Sequence, residues 1–148
     1  MKNELPVKVE AIVFRLIDNE VQFLLLERVK EDGGFWQPIT GTVEDGEKLE
    51  ECLIREIREE AKIERTIMIS NALYKFDWRK ASGDVIVEYV FAVKVPINTV
   101  IRVNLREHIE YKWCNYEDAL DMLFTDNNKR SLGIVNAFIL HNSDVFLG

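Results

Sequence analysis

The chain has 148 residues, 47% of them hydrophobic and 30% charged, which is enough for one well-buried core and too few for two ordinary domains. Its net charge of -7 and isoelectric point near 4.9 exclude the broad basic footprint that a nucleic-acid polymer or an anionic membrane surface requires. There is no apolar run of about 18 residues, and the opening MKNELPVKVE lacks the charged, apolar and small-residue succession of a signal peptide. The expectation is therefore a single soluble domain spanning 1–148, in the cytoplasm.

Residues 7–17 and 21–29 are rich in β-branched and apolar side chains, and the polar Asp18-Asn19-Glu20 between them reads as a hairpin turn. KEDGGF then supplies a glycine-containing loop. Residues 36–43 form a short strand that Pro38 confines to an edge or an irregular segment, and a helix follows over 48–61. Residues 66–78 and 85–95 are strand-like and separated by RKASGD, whose Ser-Gly-Asp signals a turn. YKWCNY ends the strands, YEDALDMLF forms a short helix, and 129–140 forms a terminal one. The fold class expected is α/β, a mixed sheet packed between helices. Cys52 and Cys114 stand far apart in no CxxC pair, so two reduced, buried thiols are expected in place of a disulfide or a zinc site.

The helix over 48–61 carries an anomaly. At about 100° per residue, Leu49, Cys52, Leu53 and Ile57 share a core-facing arc, while Lys48, Glu50, Glu51, Arg55 and Arg58 face solvent. Glu56, Glu59 and Glu60 overlap the inward arc at the C-terminal end, where the macrodipole disfavours each negative charge by roughly 0.3–1 kcal/mol. Like charges at i, i+4 add to that cost. Convergent carboxylates half turned toward a core suit a hard divalent cation, which takes oxygen ligands and, as Mg²⁺, shares phosphate oxygens. The preceding TGTVEDGE adds two glycines that let the backbone turn tightly and approach a ligand.

These residues resemble the Nudix box, G-x5-E-x7-R-E-U-x-E-E-x-G-U with U apolar. Gly41, Glu47, Arg55, Glu56, Ile57, Glu59, Glu60 and Ile63 stand at the required spacing, and Lys62 replaces the second glycine. That glycine suits the turn ending the helix, so Lys62 bears on the cap more than on the metal chemistry. The order of elements around the box is similar to the Nudix fold, an α/β/α sandwich with a mixed sheet and a loop-helix-loop. Within the superfamily, FWQPITGTVEDGE from Phe35 and LREHIEYKW from Leu105 resemble the bacterial dihydroneopterin triphosphate pyrophosphatases, which also hydrolyse triphosphates such as dATP.

The resemblance implies a Mg²⁺-dependent (or Mn²⁺-dependent) pyrophosphohydrolase acting on a small phosphate anhydride, a nucleoside or pterin triphosphate, as a monomer or homodimer. It implies metal ligation by Glu56 and Glu60, by Glu59 directly or through orientation, and by the Gly41 carbonyl. Arg55 pairs with Glu47 or Glu59 to hold the loop against the helix. Glu107 reaches the metal from outside the box, and either Glu107 or Glu56 is the general base. Arg28 contacts phosphate, for which its planar fork is suited, and Thr40 contacts substrate. For the ring, Trp36 leads the aromatic residues Phe35, Tyr74, Phe76 and Trp78, with Asn128 and Arg130 as polar candidates. His108 reads as a structural hydrogen-bonding residue. Two other functions are open: a diadenosine polyphosphate or nucleotide-sugar hydrolase with the same metal site, and a non-catalytic nucleotide-binding module.

Overall fold

Strand β1 (Val7–Ile17) is buried from Val9 to Phe14 and, Glu10 apart, apolar on both faces over that span, the pattern of a strand inside a sheet covered on both sides. In the computed structural model, which describes residues 6–146, it lies at the centre of an eight-stranded mixed sheet. Residues 1–5, on which the reading of the N-terminus partly rests, and 147–148 lie outside the described residues. β1 runs parallel to β7 (Val85–Lys94) and antiparallel to β2 (Glu20–Arg28) and β4 (Ile39–Thr42). The β1–β2 hairpin turns through Asp18 and Asn19 at φ 49° and 67°, the paired left-handed geometry that matches strand twist in a two-residue loop. β3 (Trp36–Gln37) and β8 (His108–Cys114) both pair with β2, while β5 (Met68–Ile69) and β6 (Tyr74–Arg79) both pair with β7.

Alternation along the strands divides the core in two. Val9, Ala11, Val13, Leu24 and Leu26 face helix α1 (Leu49–Ala61), which buries Cys52, Leu53, Ile57 and Ala61 against them. Ile12, Phe14, Phe23 and Leu25 face α2 (Tyr116–Met122) and α3 (Asp126–His141), which contribute Ala119, Leu132, Val135 and Ile139. Each such large apolar side chain contributes roughly 1.5–3 kcal/mol by leaving water. A short helix, α4 (Ser143–Phe146), follows. Both cysteines are buried and free. No helix among the described residues is long and apolar enough to cross a membrane.

Three expectations change. The single strand over 36–43 is two strands broken at Pro38, which has no N–H for a ladder, and the halves pair with different neighbours. The strand over 66–78 is likewise split into β5 and β6. The terminal helix begins at Asp126 instead of 129, because Thr125 caps it by accepting the amide of Asn128 at 3.1 Å. Its first turn therefore contains Asp126, Asn127 and Asn128, which the expected bounds leave outside the helix.

Candidate metal and substrate site

The site starts from a loop fastened to a helix. Between β4 and α1 the chain turns at Gly46, φ 79°. Arg55 on α1 then binds the loop: its Nε donates to Glu47 Oε2 at 2.7 Å, and its Nη2 to Glu47 Oε1 and the Thr42 carbonyl, both at 3.0 Å. Its Nη1 reaches Glu56 at 2.7 Å and Glu59 at 3.2 Å. The wheel puts Arg55 on the solvent side, but the loop folds over it and leaves its side chain 16% exposed. The Glu47 carboxyl, hydrogen-bonded first by Arg55 and then by the Glu44 amide, is pulled down to about 2. Gly41 meets a different need. It sits in extended β4 opposite Val9, and a Cβ there would overlap the Glu56 side chain, so only glycine lets that carboxylate lie against the strand.

Glu56 and Glu60 lie one turn apart on α1, and both are buried. Glu59 does not share their setting: its side chain is 51% exposed and turned to Arg55, so the inward arc holds two glutamates, not three. Burial raises the Glu56 carboxyl above the ordinary range against the pull of Arg55. Burial also pushes Glu60 up, but the contacts of His108 and Glu107 outweigh it and hold Glu60 low. Glu107, just before β8, shares a hydrogen bond with Glu60; that bond first, and then burial, raise it to about 7. The shared bond thus separates the two adjacent carboxyls, with Glu60 the stronger acid and Glu107 the weaker.

His108 opens β8 and is 2% exposed. The Gln37 amide donates to its Nε2 at 3.1 Å, which leaves the ring proton on Nδ1, 3.1 Å from Glu60 Oε2. That approach is off the hydrogen-bond line, and neither Glu60 Oε2 nor His108 Nδ1 has another partner. Ligand atoms of Glu60, Glu107 and His108 lie within 4.8 Å of one another. Buried carboxylates with an unfilled oxygen are the donor set a hard divalent cation takes, so these residues fit one. Glu60, Glu107 and Glu56 are the oxygen donors that could hold it, and His108, protonated at Nδ1, orients Glu60.

A cavity of about 360 Å³ adjoins this cluster. Arg28 lines the cavity, pairs with Asp32 at 2.8 Å, and places its charge where it acts on both Glu60 and Glu107. Thr40 and Asn128 line it, as do Phe35, Phe76 and Trp78. Trp36 does not. It packs beside Leu123 against the α2–α3 core, while Phe35 and Gln37 on either side of it reach the cavity, as alternation along an extended segment dictates. Tyr74 packs on Phe76 at 5.7 Å, and Arg130 bonds Tyr74 away from the cavity. Sequence reading missed Gln37, the exposed Phe124 stacked on Phe35 at 5.3 Å, and a buried carboxyl pair, Glu10 and Glu88. The pair had a visible signal: each glutamate interrupts a predominantly apolar run, VEAIVF and VIVEYVFAV.

The architecture is a mixed sheet between helices, with a loop-helix-loop presenting carboxylates beside the cavity. The chain belongs to the NUDIX family: the NUDIX domain model matches residues 6–135. It is 25% identical over 147 residues to the dihydroneopterin triphosphate diphosphatase of Escherichia coli, covering 89% of this chain and 94% of that one. It is 33% identical over 105 residues to an octanoyltransferase of Myxococcus xanthus, covering 70% of this chain but spanning only 29% of that relative's length. Among solved structures, a Caenorhabditis elegans Ap4A hydrolase binary complex superposes with a TM-score of 0.83 at 24% identity, covering 93% of this chain and 99% of that one. That likeness is one of fold.

Proposed function

We propose that the protein is a Mg²⁺- or Mn²⁺-dependent pyrophosphohydrolase that cleaves a nucleoside or pterin triphosphate to the monophosphate and pyrophosphate. The observation that carries this reading is the placement of Arg28 between an acidic pair, buried Glu60 and half-buried Glu107, and a cavity with aromatic walls. Phosphates and ring each have a compartment, and one cation joins them. A bound divalent metal would neutralise phosphate oxygens and acidify a water. In this reading Glu56 and Glu60 are the principal ligands, Gly41 offers its carbonyl, Glu59 steadies the set through Arg55, and Glu107 or Glu56 accepts the proton of the attacking water. Water adds to the α-phosphorus, the bond to the bridging oxygen breaks, and pyrophosphate leaves. Arg28 and Thr40 orient the phosphate chain, and Asn128 meets the ring. The resemblance to the diphosphatase of Escherichia coli over nearly its whole length supports the triphosphate class.

The test is product analysis with Mg²⁺ on a panel of nucleoside and pterin triphosphates, a dinucleoside tetraphosphate and a nucleotide sugar. Monophosphate and pyrophosphate from a triphosphate is the expected result. Preferential cleavage of the dinucleotide or the sugar would replace the triphosphate reading, and binding without turnover would leave a nucleotide-binding module.

A further inference from the structure

Beneath the cavity lies a polar group that hydrolysis does not use. Glu10 on β1 is completely buried, and Glu88, which lines the cavity from β7, is 4% exposed. Glu10 Oε1 accepts the Asn128 amide at 2.7 Å, and Glu88 Oε1 accepts the Trp78 indole N–H at 3.0 Å. The second oxygen of Glu10 has no donor among the described residues, and the Glu88 carboxyl lies against it. Two carboxyls so placed cannot both ionise; they hold a proton between them. Burial first, then Glu88, raises the Glu10 carboxyl well above its ordinary value, so the proton stays with Glu10. Glu88 stands on the cavity side, where its carboxyl accepts the Trp78 N–H and lines the open space.

A carboxylate only accepts hydrogen bonds. Its two oxygens match two parallel N–H donors, the fork geometry by which it binds a guanidinium. A ring with a 2-amino group beside a ring N–H presents that edge. Adenine and cytosine instead present an acceptor beside their amino group, which would set a lone pair against the charge. Resting on the triphosphate reading above, we propose that Glu88, backed by Glu10 and flanked by Asn128, selects substrates with a 2-amino-4-oxo pyrimidine edge, guanine or pterin in type. The walls suit such a flat ring, with Trp78, Phe76 and Phe35 around it.

Calorimetric titration of the intact chain with GMP, IMP and AMP tests this without reading hydrolysis. GMP should bind at least about tenfold more tightly than IMP, which lacks the 2-amino group, and than AMP, because an unpaired buried acceptor rejects the analogue. Glu10→Gln fixes the inner group in a neutral form and should keep the preference. Glu88→Gln turns a donor toward the ring and should bring GMP within about threefold of IMP. Equal binding of the three monophosphates by the wild type overturns the proposal, as does an unchanged preference in a folded Glu88→Gln. Should Glu88→Gln fail to fold, the wild-type series and Glu10→Gln decide. A chain that prefers GMP but cleaves no triphosphate would keep this subsite and lose the hydrolase reading; one that cleaves triphosphates without preference would do the reverse.

Discussion

Gly41 and Glu56 illustrate how one residue fixes another. The clash of a Cβ at position 41 with the Glu56 side chain predicts that Gly41→Ala folds, displaces that carboxylate from the strand, and lowers kcat by at least about tenfold in steady-state assays, as loss of well-placed charge stabilisation does. Wild-type turnover in Gly41→Ala would mean that Glu56 can act from elsewhere. A second comparison separates chemistry from positioning. Glu107→Ala should lower kcat and kcat/KM together, whereas Arg28→Ala should mainly raise KM; a silent Glu107→Ala beside an inactive Glu56→Ala would move the base to the helix. The carboxylates were legible because spacing along one helix reveals a shared face. Glu59 was misplaced because the wheel knows nothing of Arg55, whose reach draws that carboxylate outward. Trp36 was ranked ahead of Phe35 and the order is reversed, since an irregular stretch beside Pro38 gives no phase for the alternation.

Among the elements, α1 ends on an unusual cap. Lys62 stands where the family has glycine, yet it takes the left-handed conformation at φ 59°, ψ 31°, with its amide bonded to the Arg58 carbonyl at 2.9 Å. The cap geometry persists and the side chain bears the strain, which costs a non-glycine residue roughly 1–2 kcal/mol, partly offset by the greater chain entropy that glycine loses on folding. Lys62→Gly should therefore stabilise the protein by about 1 kcal/mol, raising Tm by roughly 2–4 °C with kcat unchanged; a lower Tm would show that the lysine side chain contributes something this geometry does not reveal. The order and type of the long elements were readable because β1, β2, β7, α1 and α3 carry strong periodicity. What the sequence concealed was partnership. Nothing local tells that residues on either side of Pro38 pair with different strands, or that β1 and β7, some eighty positions apart, lie parallel.

For the molecule as a whole, the inward glutamates set how stability follows pH. Glu10, acted on by Glu88, Asn128 and Ser131 and with Lys8 at the same cavity wall, keeps its proton when folded and loses it when unfolded above the ordinary value of 4.5. The native state then binds more protons, so this contribution is fully present below about 4.5 and declines as pH rises toward the folded value, by up to about 1.4 kcal/mol per unit. Glu10→Gln removes that dependence. Its Tm relative to wild type should climb as pH rises above the ordinary carboxyl value, and a constant difference would mean that Glu10 is ionised in the fold. The central claim concerns the other glutamates, which should do chemistry while the cavity holds the ring. The most direct measurement is Mg²⁺-dependent pyrophosphate release by wild type and Glu60→Gln on the best triphosphate, with the affinity of the corresponding monophosphate measured on both. The account predicts release at least about a hundredfold slower in Glu60→Gln with the monophosphate bound equally well; release at the wild-type rate at saturating Mg²⁺ would contradict it.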